Sequence, residues 1–140
     1  MAKISKYVVS TVIVLLIIIA GIYFYIFNSP HRDVENEDAL TITADSLYTI
    51  YSNNEDGGNA LFLDKTLQVT GEILDTLHNN IGQSVLLLKV NSELSSVVCT
   101  FTESIDNFIP SQIIIVKGIC SGYDGIDVKV GKCMLVKTLN

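Results

Sequence analysis

The sequence of 140 residues lacks tryptophan and contains only two prolines, three cysteines and two histidines. Three cysteines are too few for a small domain that depends on several disulfides, and two prolines exclude a proline-rich linker. Lysine and arginine together number 9, against 15 aspartates and glutamates, for a net charge of -6. A general nucleic-acid binder needs clustered cations to neutralise phosphates, so this balance argues against that class of protein.

Near the N-terminus, residues 7–27 include no charged residue and no histidine, asparagine or glutamine. About 20 apolar residues in a helix cross a hydrocarbon core of about 30 Å. A core helix apolar on every face would need more surrounding protein than the rest of this chain supplies. The run ends in aromatic residues typical of a membrane interface, namely Tyr23, Phe24, Tyr25 and Phe27. The sequence therefore predicts a transmembrane helix over residues 7–27.

A cleaved signal peptide is the alternative for this segment. Its apolar region usually has about 7–15 residues and precedes small residues at the cleavage site. Here the apolar run is longer and bulky aromatic residues follow it, so we expect an uncleaved signal-anchor. Lys3 and Lys6 precede the helix and acidic residues predominate after it, which predicts a single-pass protein with a cytoplasmic N-terminus. The predicted segments are a cytoplasmic N-terminus (1–6), the signal-anchor (7–27), an acidic tether (28–42) and a periplasmic or extracellular domain (43–140).

The domain after the tether is predicted to be mostly β. It opens with a short helix from Thr43 to Tyr51, whose apolar residues recur at helical spacing, and residues 55–58 are predicted to form a loop. Alternation of apolar and polar residues, together with runs of β-branched residues, then predicts five strands. These strands are Leu67–Ile73, Ser84–Val90, Ser96–Phe101, Gln112–Cys120 and Ile126–Val136.

Glycines inside the predicted strands indicate where the sheet bends. Gly71 predicts a bulge or bend in the first strand, and Gly131 predicts one in the last. Between the third and fourth strands, Thr102–Ile109 lacks alternation and is predicted to form a helical turn or short helix. A long bent first strand, five strands and this helical break describe a five-stranded OB-fold barrel. Another small five-stranded barrel or sandwich is the alternative.

An ordered set of short motifs runs from Asp45 to Val136. The first motif is a helix that contains Leu47, Tyr48, Tyr51, Asn54 and Ala60. After it come, in order, Leu67 to Gly71, Val98-Cys99, Val116 to Gly122, and Asp127-Val128 with Cys133 downstream. In this order the motifs resemble the tRNA-anti-like OB-fold family of bacterial envelope proteins, which is common in Bacteroidetes. The resemblance implies an OB-fold and an envelope location. It implies no established activity and adds no catalytic residue.

The three cysteines are the residues whose side chains offer the most reactive chemistry. In an oxidising compartment two of them can pair and one is left over. Cys120 and Cys133 lie on the two sides of the last predicted hairpin, and a bridge between them would stabilise the fold by about 3 kcal/mol. Cys99 is then predicted to be a buried free thiol. The alternative is that all three are buried thiols that act as small apolar residues.

Other polar motifs in the sequence have structural explanations. His31 lies beside Arg32 in the tether and His78 beside Asn79 at a strand end, and both are predicted to be solvated surface residues. Asp124 to Asp127 is predicted to form a hairpin turn, because an EF-hand needs a further acid and flanking helices. Catalytic and phosphate-binding sequence motifs are absent. We therefore expect no enzyme activity, no cofactor and no metal site.

The sequence predicts a membrane-anchored, non-catalytic OB-fold module whose ligand is a protein or an oligosaccharide. Nucleic acid is not expected, because residues predicted to face outward on the first and third strands include no aromatic residue and no cation. These residues are Gln68, Thr70, Glu72, Ser96, Val98 and Thr100, and Lys89 is the basic residue on the second strand. The alternatives are an interaction subunit of an envelope assembly and, from a different class, a thiol-redox or metal-binding envelope protein.

Overall fold

A computed structural model describes residues 6–27, 34–105 and 107–139 and divides them into two units. The first unit contains one helix, α1 (Lys6–Phe27). From Val8 to Phe27 this helix has a mean hydropathy of 2.6 and is long and apolar enough to cross a membrane. The predicted N-terminal apolar helix of membrane-spanning length is therefore confirmed.

The second unit contains two short helices and six strands. The five predicted strands are all present, and several extend beyond the residues that the pattern marks. In chain order the elements are β1 (Leu40–Thr43), α2 (Ala44–Asn53), α3 (Glu55–Phe62), β2 (Thr66–His78), β3 (Ser84–Lys89), β4 (Ser96–Phe101), β5 (Ile113–Tyr123) and β6 (Val128–Leu139).

Five of these strands close into a barrel. The hydrogen-bonded order is β2-β3-β4-β6-β5, and β5 pairs with β2 to complete the ring. The β4–β6 pair is parallel and the other pairs within the ring are antiparallel. This strand order, with a parallel third and fifth strand, is the OB-fold topology, so the fold predicted from the sequence is confirmed.

The barrel interior is filled by the inward residues of each strand, and α2 and α3 pack against it. Alternate residues on the strands are buried, as expected where one face of a strand contacts a core. Leu47 and Tyr51 from α2 and Phe62 from α3 join the same cluster. The largest fully buried side chains are Tyr51, Phe101, Leu47, Leu67, Ile73, Leu86, Leu88 and Ile114.

The two helices begin at side-chain caps. The Thr43 hydroxyl accepts a hydrogen bond from the backbone N–H of Ser46, 3.2 Å away, at the start of α2. The Asn54 carbonyl oxygen accepts one from the backbone N–H of Gly57, 3.0 Å away, at the start of α3. The prediction of a loop at residues 55–58 is therefore wrong. Two acidic residues in the first turn of α3 also favour the helix, because they lie at its positive end.

The bends in the barrel lie partly where the glycines predicted them. In the β5–β6 pair the register shifts between Lys117 and Ile119, opposite Gly131, and Lys132 has a positive φ of 50°. In β2 the bulge lies between Ile73 and Asp75 and not at Gly71. Gly71 is instead a point of close approach, since a Cβ there would lie 3.0 Å from the Cβ of Ala44.

The segment before α2 contacts the barrel. Strand β1 pairs in parallel with β2, which the sequence does not signal. Lys117 donates a hydrogen bond to the backbone carbonyl of Glu35 at 2.9 Å, and the Thr66 hydroxyl donates one to the Glu37 carboxylate. Val34 is buried. Residues 34–43 therefore lie against the barrel, although the sequence places most of them in the tether.

The connection between β4 and β5 differs from its prediction. Within Thr102–Ile109 the described residues, 102–105 and 107–109, form no helix. The hydroxyl of Ser84 donates a hydrogen bond to the carbonyl of Ile105 and accepts one from the N–H of Ile105. The backbone of Ile105 therefore bonds to a side chain instead of to the backbone of a helix. Asn107 has a positive φ of 81°, which an α-helix does not tolerate.

Candidate functional site

Four aliphatic side chains form a continuous apolar surface on the outside of β2, β3 and β4, and we call it the aliphatic face. It consists of Leu77, Val85, Leu87 and Val98. Leu77 is paired with Val85 across the β2–β3 ladder, and Leu87 is paired with Val98 across the β3–β4 ladder. Leu77 is 48% exposed and the other three are half-buried. Directly opposed residues on one face of a sheet lie close enough for their side chains to touch.

Polar residues surround the aliphatic face. Asp75 is paired with Leu87 on one side, and Lys129 of β6 is paired with Val98 on the other. Thr100 is paired with Val85. An apolar centre with a polar rim is the usual anatomy of a protein–protein interface.

The composition of the aliphatic face determines which ligands it suits. Its four residues include no aromatic ring, whereas proteins that bind single-stranded nucleic acid stack bases on aromatic rings in a cationic groove. Two cations lie at the edge of the face, and each is near a carboxylate. The ammonium group of Lys89 lies 3.8 Å from Glu72, and that of Lys129 lies 2.8 Å from Asp124. An aliphatic surface of this kind suits the apolar side chains of another protein.

A groove adjoins the aliphatic face where the first turn of α2 meets β2 and β3. It has a volume of about 340 Å³, and a second hollow of about 460 Å³ shares Lys89 and Asn91 with it. The Asp45 carboxylate closes part of the first groove by accepting a hydrogen bond from the backbone N–H of Asn91 at 2.5 Å. Across the described ranges no three histidine, cysteine or acidic side chains are grouped to hold a metal ion.

The match to a protein family agrees with the barrel fold. The tRNA_anti-like family model matches residues 1–134. The chain belongs to the tRNA_anti-like family. The match includes α1 as well as the barrel as far as Met134, so it extends beyond the span of the motifs quoted above. No curated protein sequence matches the chain significantly.

The tRNA_anti-like OB-fold family is a family of binding domains. OB-folds bind their ligands on the face that the second and third strands present, and in this chain those strands are β3 and β4. The aliphatic face therefore occupies the position at which an OB-fold binding domain usually holds its ligand.

The three cysteines of this tRNA_anti-like protein are free thiols buried in the barrel. The sulfur of Cys120 lies 3.3 Å from the hydroxyl of Tyr51, and burial together with this contact raises the pKa of Tyr51. The thiol of Cys133 donates a hydrogen bond to the carbonyl of Val130 at 3.3 Å. Its contact with Cys99 is the main reason that its pKa is raised, and its burial raises the pKa further. Reactive thiols have low pKa values and are accessible, whereas Cys133 has the opposite properties. The Cys120–Cys133 disulfide stays a prediction.

The other residues that the sequence singles out lie away from the aliphatic face or outside the described residues. His31 lies outside the described residues, and His78 is exposed at the end of β2. The predicted turn is the loop of the β5–β6 hairpin: the Asp124 carboxylate accepts from the N–H groups of Ile126 and Asp127. The Lys129 ammonium lies 2.8 Å from that carboxylate, and this hydrogen bond is the main reason that the pKa of Asp124 is lowered.

Sequence reasoning missed the aliphatic face for two reasons. Ser84–Val90 is a nearly continuous apolar run, so the sequence does not show which of its residues face outward. The outward positions of Val85 and Leu87 are therefore not predicted. Leu77 lies beyond the predicted end of the first strand, in the part of β2 that pairs with β3 after the bulge. Val98 was correctly expected to face outward.

Proposed function

We propose that this tRNA_anti-like protein is a membrane-anchored module that binds a partner protein through the aliphatic face and catalyses no reaction. The observation that carries the proposal is the alignment of Val85, Leu87 and Val98 on the ligand-binding strands β3 and β4, with Leu77 of β2 beside Val85. Four aliphatic side chains offer no ring on which a base can stack, which favours a protein over nucleic acid.

The location is part of the same proposal. An N-terminal helix of membrane-spanning length supports anchoring. Lys3 and Lys6 precede this helix and an acidic segment follows it, which supports a cytoplasmic N-terminus and a barrel in the periplasm or outside the cell. In that location the barrel can bind an envelope protein.

Site-specific photocrosslinking in native membranes tests the binding face. A photoreactive amino acid at Leu87 should yield a discrete adduct with one protein, because the face contacts its partner directly. The same amino acid at Lys137, an exposed residue of β6, should yield none. Adducts that are equally abundant at both positions, or absent at Leu87, would contradict the proposal.

A charge on the aliphatic face provides a second test. Leu87→Glu should abolish recovery of the crosslinked partner, because it buries a carboxylate against apolar side chains in the complex. Lys137→Glu is the matched control and should leave recovery unchanged. If the partner is recovered in equal amounts with the purified chain in mild detergent, the protein is an interaction subunit of an assembly rather than a transient binder.

A further inference from the structure

A second exposed surface lies where α2, the β3–β4 loop and the β5–β6 hairpin meet, and we call it the tyrosine patch. It consists of Tyr48, Leu94, Tyr123 and Ile126. Leu94 is 87% exposed and Ile126 is 57% exposed, while the two tyrosines are half-buried. The rings of Tyr48 and Tyr123 meet edge to face with their centroids 6.3 Å apart.

Neighbouring polar groups place the members of the tyrosine patch. The hydroxyl of Tyr123 donates to the carbonyl of Gly125 at 2.9 Å, next to Ile126. The hydroxyl of Tyr48 lies near the side chains of Ser95 and Ser92, on either side of Leu94. The two tyrosines therefore bring the exposed Leu94 and Ile126 to one surface.

The tyrosine patch rests on a well-packed base. Beneath it the buried ring of Tyr51 stacks on Tyr123 with centroids 6.0 Å apart. The Asp127 carboxylate accepts from the N–H of Ser96 at 2.7 Å and so ties the hairpin to the start of β4. A partner that binds here would meet side chains already held in place, which lowers the entropic cost of association.

Acidic side chains lie near the two rings. Asp127 lies close enough to Tyr48 to interact with it electrostatically, and Asp124 and Glu55 do the same with Tyr123. Lys129 lies beside these acids, but its ammonium group is ion-paired with Asp124 at 2.8 Å. The aromatic faces add partial negative charge of their own, which attracts cations.

We propose that the tyrosine patch binds a basic, apolar segment of a partner protein. The apolar side chains of the segment pack on Leu94 and Ile126, and a lysine or arginine lies over the tyrosine rings near Glu55 and Asp127. The charge complementarity selects this occupant, since an acidic segment or a nucleic acid meets like charge at the same place. The tyrosine patch shares no residue with the aliphatic face, so this proposal stands apart from the proposed function.

Fluorescence anisotropy tests the proposal on the full chain in nanodiscs of neutral lipid. The probe is a labelled peptide of alternating lysine and leucine, and the matched peptide carries glutamate in place of lysine. The basic peptide should bind saturably and release as salt rises, whereas the acidic peptide should not bind. Absence of saturable binding by the basic peptide, or equal binding of both peptides, would overturn the proposal.

Matched variants locate the binding surface. Leu94→Ser with Ile126→Ser, and separately Glu55→Gln, should each weaken binding of the basic peptide at least about fivefold. Ile81→Ser and Glu103→Gln change exposed residues in other loops and should leave the affinity within about twofold. If these control variants weaken binding as much as the patch variants do, the peptide binds elsewhere and the proposal fails. Thermal melting of each variant shows that the barrel is folded.

Discussion

Gly118 of β5 faces a part of the barrel interior that has no room for a side chain. A Cβ at this position would lie 2.7 Å from the sulfur of Cys133, 2.8 Å from Cγ1 of Val130 and 2.9 Å from the carbonyl oxygen of Gly131. The sulfur is held by its hydrogen bond to the backbone, and the carbonyl oxygen belongs to the paired strand. Neither can move away without disturbing the β5–β6 ladder.

Gly118→Ala should therefore destabilise the barrel. Overpacking a core typically costs about 1–3 kcal/mol, and the loss of glycine's freedom in the unfolded chain returns about 0.4–1 kcal/mol. We expect a net loss of about 1–2 kcal/mol. For a domain of this size that corresponds to a fall in the melting temperature of roughly 5–15 °C, measured by far-UV circular dichroism on the full chain in detergent.

Gly131→Ala is the matched control for this prediction. Gly131 lies on the neighbouring strand, and a Cβ there would be 3.5 Å from its nearest neighbour, the hydroxyl of Ser121, which is ordinary van der Waals contact. This variant should be as stable as the unsubstituted protein or slightly more stable. Equal melting temperatures for Gly118→Ala and Gly131→Ala would refute the packing argument.

Four further predictions concern the cap, the thiols and the topology. Thr43→Ala should lower the free energy of unfolding by about 1 kcal/mol in thermal melts, because it removes the N-cap of α2, while Thr43→Ser should retain it. In the reduced protein, the raised pKa of Cys133 means that its contribution to stability is complete below the unfolded-state pKa of about 8.5 and is lost as pH rises. With reductant present, Cys133→Ala should therefore flatten the alkaline fall in stability. Alkylation and peptide mapping without reductant should show a Cys120–Cys133 link and an alkylated Cys99. Alkylation of all three cysteines, or a Cys99–Cys133 link, would contradict this prediction. Protease added to intact spheroplasts should remove the barrel, and survival of the barrel until lysis would contradict a cytoplasmic N-terminus.

The sequence predicts most of the fold because the barrel core depends on alternation, which is visible along the chain. The strand Ser96–Phe101 is predicted with its correct bounds, since Val97, Cys99 and Phe101 alternate with polar or outward residues. Strand β1 is missed because its four residues pair with β2 through the backbone and bury little apolar surface. Backbone pairing of that kind leaves no pattern in the side chains.

Local signals compete with tertiary contacts in the segments that are predicted wrongly. Residues 55–58 contain two glycines and two acids, which are typical of loops, yet the Asn54 cap and the packing of Gly58 on Tyr51 hold them in α3. Thr102–Ile109 has no strong strand signal, yet the Ser84 hydroxyl takes both hydrogen-bonding groups of Ile105 and prevents a helix. Both outcomes depend on residues that lie outside the segment or at its edge.

The candidate site is harder to predict than the fold because the barrel constrains its outward residues only weakly. An inward position such as Leu86 or Val97 must be apolar and of suitable volume, so the fold constrains the residue there. Outward positions such as Val85 and Leu87 satisfy the fold equally well with polar residues. Membership of the tRNA_anti-like family therefore specifies the barrel but not the ligand, and the aliphatic character of Val85 and Leu87 is the basis of the proposed binding face.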